Sequence, residues 1–373
     1  MRKNLLLMGT LLGVFVFLSG CGEDKKKEDK EVVRPSILIP STPPPVKGII
    51  GTVPLTTGDP QVPRGLSFIN GEDALIVTAE GPFKSDKGTI YMAPKRDLSF
   101  SIRTVRRATI ALNFAKFRGH VYNTETNTLF VCGNHKDPTT PPQVLVLTRQ
   151  NDGRFFLVHT IGLDSTQQGM TCGHLALVGD YLFATNQTPK ALTDDAVFYA
   201  KVSGVVPTEM EPILTYGDLP FKLRQIGGLP ISDIKPKVTQ APDKFSIWLL
   251  LSDPKNIVGV DFISDGAGGL ERDGNVMVLN PGDSLRRLQS FVPYTDEFFL
   301  ILDNSKLYSS RFDATGKLVE TKVLLDNLLS KSVLSMYLGK DRLRATSLPV
   351  VFYLPSPLDS VSLVTEFAFD PDA

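Results

Sequence analysis

Long helical periodicity and net charge are what this chain lacks, and tryptophan is limited to a single residue. No stretch of its 373 residues repeats apolar side chains with a sustained helical period, which argues against a helical bundle or a helix-covered parallel sheet. Forty Lys and Arg balance forty Asp and Glu, so no electrostatic case for nucleic acid exists. No GxSxG elbow, phosphate-binding loop or HExxH helix is present, and the best-marked linear signatures of hydrolase, nucleotide and zinc-protease chemistry are therefore missing. Cysteine is also scarce, at three residues, and each has to be placed separately.

What is present begins at the N-terminus. Arg2 and Lys3 precede an apolar run from Leu5 to Leu18 of about 14 residues, followed by small residues, the layout of a secretory signal over residues 1–20. The run falls short of the roughly 20 residues that span a bilayer. Leu18-Ser19-Gly20-Cys21 resembles the lipobox of bacterial lipoproteins. That resemblance implies that Cys21 is acylated, as with palmitate, and becomes the mature N-terminus. Gly22 rather than Asp follows it, which by the same resemblance favours the outer membrane of the cell envelope. Removing the signal takes away two positive charges, leaving 38 basic against 40 acidic residues. The mature chain stays close to neutral. Residues 21–47 alternate Lys with Glu and Asp and then carry Pro35, Pro40, Pro43, Pro44 and Pro45. This composition favours a disordered, extended tether.

From residue 48 to 373 a short turn followed by an apolar run recurs: GEDALIVTAE, ETNTLFVCGN, GDYLFATN, PDKFSIWLLLSD, TDEFFLILD and GKDRLRATS. Their turn residues Asp73, Asn127, Asp180, Asp243, Asp296 and Asp341 lie 54, 53, 63, 53 and 45 positions apart. Further short strands flank each phrase, such as RGLSFI and RGHVYN before it and QVLVLT and RFFLVHTI after it. Such spacing suits one four-stranded unit per repeat. The expected fold is all-β, a six-bladed β-propeller, with seven blades the alternative because the fourth repeat is long. Two β-sandwiches would also accommodate the same strands. The sixth repeat lacks an evident fourth strand, and residues 48–56, GIIGTVPLT, are expected to supply it and close the ring.

Cys132 and Cys172 occur in similar phrases, Cys132-Gly133-Asn134-His135 and Cys172-Gly173-His174. One ends the second strand of a blade and the other begins the first strand of the next. These positions share a rim in a propeller, so in an oxidising periplasm a disulfide is expected. The competing reading gathers both thiols with His120, His135 and His174 as a soft metal site.

Glu80, Asn134, Asn186, Asp253 and Asp303 end successive second strands and would surround one mouth of the channel. Four of these resemble, in residue type and ring placement, the Glu, Asn, Asn and Asp calcium site of gluconolactonase and paraoxonase-like hydrolases. The resemblance implies Ca²⁺ held by Glu80, Asn134, Asn186 and Asp253 and polarising an ester or lactone carbonyl, with Asp303 or His135 moving the proton. Asn and Asp also end strands for local reasons, because they favour turns. Quinone-cofactor dehydrogenase propellers carry repeated Trp docking motifs, and Trp248 stands alone in this chain. The function expected first is therefore a non-catalytic binding or scaffolding propeller. It would be a monomer, lipid-anchored to the membrane and presented to a periplasmic or surface protein, with no cofactor. The calcium-dependent lactonase or esterase is the alternative.

Overall fold

The computed structural model describes the strands between residues 46 and 108, residues 114–325 with short gaps, and the strands between 333 and 369; side chains are described at Ile90 and, with gaps, from Phe114 to Leu324. The signal segment, Cys21 and the tether up to residue 45 lie outside the described residues.

Every blade repeats the same antiparallel meander, and the first described strand belongs to the last one. After β1 (Val46–Pro54), the first blade holds β2 (Val62–Ile69), β3 (Ala74–Glu80) and β4 (Thr89–Arg96), with two short strands, β5 (Ser99–Phe100) and β6 (Arg106–Ala108), both paired to β4. The second is β7 (Phe114–Asn123), β8 (Thr128–His135), β9 (Gln143–Arg149) and β10 (Phe155–Leu163). The third is β11 (Cys172–Val178), β12 (Tyr181–Asn186), β13 (Asp195–Lys201) and β14 (Glu209–Thr215). In the fourth lie β15 (Ile231–Pro236), β16 (Lys244–Leu251), β17 (Ile257–Ser264) and β18 (Leu270–Leu279). The fifth contains β19 (Leu288–Pro293), β20 (Phe298–Asp303), β21 (Lys306–Phe312) and β22 (Leu318–Leu325). In the sixth, β23 (Val333–Gly339), β24 (Val350–Pro355) and β25 (Leu363–Phe369) are joined by β1, antiparallel to β25 from Val46↔Phe369 to Pro54↔Leu363.

The first strands of the blades form the inner wall. Among the described residues β2 packs on β7, β7 on β11, β11 on β15, β15 on β19, β19 on β23, and β23 back on β2. This closed ring of radial antiparallel sheets is a β-propeller. β11 meets β15 directly, at the place where a seventh blade would have to stand. Two expectations change in detail. The second strand of the sixth blade is Val350–Pro355; the predicted one ending at Ser347 lies outside the described residues. The closing strand runs from Val46 to Pro54, two residues earlier than residues 48–56.

Blades pack face to face, so their middle strands are buried on both sides and lose the alternation of a half-exposed strand. All six residues of β12 and all six of β20 are buried, whereas outer strand β14 shows exposed and buried residues interspersed. The core is accordingly divided into slabs between neighbouring blades. One joins Phe130 and Val144 to Leu182 and Phe198, the next joins Phe183 and Tyr216 to Leu249 and Phe262, and a third joins Trp248 and Leu250 to Phe291 and Phe299.

All six inner strands break register near their beginning, between Pro63 and Gly65, Phe117 and His120, Cys172 and Leu175, Ile231 and Asp233, Leu288 and Ser290, and Val333 and Ser335. A bulge at this point bends and twists the strand where the wall is most crowded. Gly119 sits in one of these bulges, and a Cβ there would approach the Cα of His174 to 2.6 Å and the carbonyl oxygen of Gly173 to 2.8 Å. The obstacle is backbone of the neighbouring inner strand, which has no rotamer to yield. Gly119→Ala should therefore destabilise the protein by about 2 kcal/mol, within the range for overpacking. Thermal unfolding of the purified variant checks this, and an unchanged midpoint would contradict it.

Candidate functional site

The ends of the second strands lie on one rim, because each pairs with the start of an inner strand. Glu80 faces Val62, Asn134 and His135 face Lys116 and Phe114, Asn186 faces Cys172, and Asp303 faces Leu288. Four of the five residues expected to end second strands, Glu80, Asn134, Asn186 and Asp303, thus pair with the starts of inner strands. Asp253 lies outside the described residues, and Glu80 is described by its backbone alone.

On this rim the two asparagines are structural. Asn134 donates through Nδ2 to the carbonyl of Cys172 at 3.0 Å and accepts the N–H of Cys172 on Oδ1 at 2.9 Å. Its side chain thereby imitates a ladder pair between the second and third blades. Asn186, fully buried, donates to Gln167 Oε1 at 2.7 Å and to the carbonyl of Asp195 at 2.9 Å, and accepts the N–H of Thr188 at 3.0 Å. Its own carbonyl accepts the Tyr216 hydroxyl. A buried partner left without its bond costs about 1–3 kcal/mol. A cation drawing on these two amides would thus compete with the bonds that hold the rim. Asp303 ends β20 and is buried, and no cluster of three His, Cys, Asp or Glu side chains with metal-site spacing occurs among the described residues.

Cys132 and Cys172 are joined as a disulfide with Cα atoms 5.4 Å apart. Both are fully buried between the second and third blades, directly beside the Asn134 clamp. The sulfurs are bonded to one another rather than offered as thiolates with the histidines. His135 packs against Phe114, ring centroids 4.3 Å apart.

The inner wall carries a polar group that sequence reasoning missed. Asp233 of β15 accepts the Ser290 hydroxyl of β19 at 2.9 Å and pairs with Lys235 at 3.1 Å. His120 of β7 is buried; that burial, aided by the charge of Lys235, holds its pKa down to about 3. The available signal was the alternation of charge and apolar residues in ISDIKP. Because His120 is neutral when folded and has an ordinary pKa near 6.5 when unfolded, the unfolded chain binds more protons as pH falls below that value. Stability should drop by about 1.5 kcal/mol between about pH 6.5 and pH 5 from this group, at roughly 1.36 kcal/mol per unit. Denaturant titrations at the two pH values measure the loss. His120→Gln should reduce it, and an identical pH slope in the variant would contradict the assignment.

A second feature lies on the opposite rim, between the fourth and fifth blades. A cleft of about 490 Å³ is floored by Trp248, Met277, Leu279 and Phe312 and edged by Lys237, Lys244, Asp261, Asp296, Glu297 and Asp313. Trp248 is held with its six-membered ring against Gly259, where a Cβ would collide with it, and edge-on to Phe299 at 5.1 Å. The Lys237 ammonium lies 4.9 Å from the centre of the indole ring and 2.5 Å from Asp261 Oδ1. Burial pushes the Asp261 carboxyl up, but hydrogen bonds from Lys237 and Ser246 outweigh it and keep the group below its ordinary range. Lys244 pairs with Asp273 at 2.6 Å. Trp248 is 2% exposed, and its indole N–H has no acceptor among the described residues.

No protein-family profile matches the chain, and no curated protein matches it. Among solved structures it is similar to a crystal structure of glucose dehydrogenase, with a TM-score of 0.51 and 12% identity over 85% of this chain and 98% of that one. The WD40 β-propeller domain of Doa1 has a TM-score of 0.43 at 12% identity over 85% of this chain and 97% of that one. A putative oxidoreductase (glucose dehydrogenase) from Thermus thermophilus has a TM-score of 0.46 at 12% identity over 85% of this chain and 100% of that one. Identities this low speak to the fold alone, since one fold hosts many chemistries.

Proposed function

We propose that this chain is a lipoprotein of the bacterial cell envelope, anchored through Cys21, whose propeller binds a periplasmic or surface protein without catalysing a reaction. The observation that carries the non-catalytic part is the use of Asn134 and Asn186, two of the four nominated calcium ligands, as hydrogen-bonded supports of the rim. The anchor rests on the lipobox-like Leu18-Ser19-Gly20-Cys21 and the tether after it. A ring of short blades presents loops and inter-blade clefts on a stable frame, which suits recognition.

Assays of the full-length protein in detergent against a panel of lactones and esters, with calcium and then with chelator, test the reading. No turnover above buffer and no calcium-dependent change in thermal midpoint are expected. Calcium-dependent hydrolysis abolished by Asn186→Ala in a folded protein would replace it with the hydrolase alternative.

A further inference from the structure

We draw no further inference here: the strongest candidate, the exposed apolar surface patch of Phe156 and Val158 on β10 beside Val205 in the β13–β14 turn, is an unpartnered face on the outer edge of the second and third blades, and nothing in the structure shows what covers it.

Discussion

Replacing Cys21 by Ser in the full chain should move the protein from the carbonate-resistant membrane fraction to the carbonate-extractable one. The expectation follows from the lipobox-like Leu18-Ser19-Gly20-Cys21, whose resemblance makes the Cys21 thiol the acceptor of the acyl chains. The apolar run from Leu5 to Leu18 is too short to span, and no helix among the described residues is long and apolar enough to cross a membrane. Acyl chains contribute about 0.8 kcal/mol for each buried methylene, and two or more chains are needed for lasting attachment. Removing the acceptor thiol should therefore act as a near all-or-none change in partition. Mass spectrometry of the wild-type N-terminal peptide should find it beginning at Cys21 with lipid attached. A Cys21→Ser protein that still resists carbonate, or a wild-type peptide with an unmodified Cys21, would contradict the anchor.

Loss of the disulfide should give the largest change in stability. The bridge spans 40 residues, and a chain-entropy argument assigns a loop of that size about 4 kcal/mol. For a domain of this length that corresponds to a fall in thermal midpoint of about 6 °C. Cys132→Ala combined with Cys172→Ala keeps the pocket apolar and isolates the covalent contribution. Asn134 grips the backbone of Cys172 through two hydrogen bonds, so the crosslink and the clamp restrain the same junction. Their effects should be less than additive when Asn134→Ala is introduced with the double alanine variant. A midpoint within about 2 °C of wild type, well below the shift expected, would show that the junction is held by packing alone.

The repeat was legible because each turn and second strand combines a short polar break with a continuous apolar run. TLFVCGNH, YLFATN and FFLILD became middle strands buried on both faces. The sixth repeat misled because the turn signal of Gly339-Lys340-Asp341 precedes a charged stretch, while the actual second strand is the apolar VVFYLP. The bulges of the inner strands were invisible, since one extra residue leaves no compositional mark. Asn134 and Asn186 were correctly placed on one rim, yet an asparagine looks the same in sequence whether its oxygen meets a cation or a backbone N–H. The cleft was not legible at all. Trp248, Lys237, Glu297 and Phe312 come from the β16 strand, the end of β15, the turn before β20 and the end of β21, and only the stacking of blades brings them together.

The central claim, an anchored propeller that binds a protein in the envelope, is tested most directly by crosslinking intact cells and purifying the full-length protein from their membranes. Quantitative mass spectrometry then compares it with membranes lacking the chain. The account predicts one envelope protein recovered in near-stoichiometric amount. Recovery of the chain alone, with no protein enriched above the control, would contradict it.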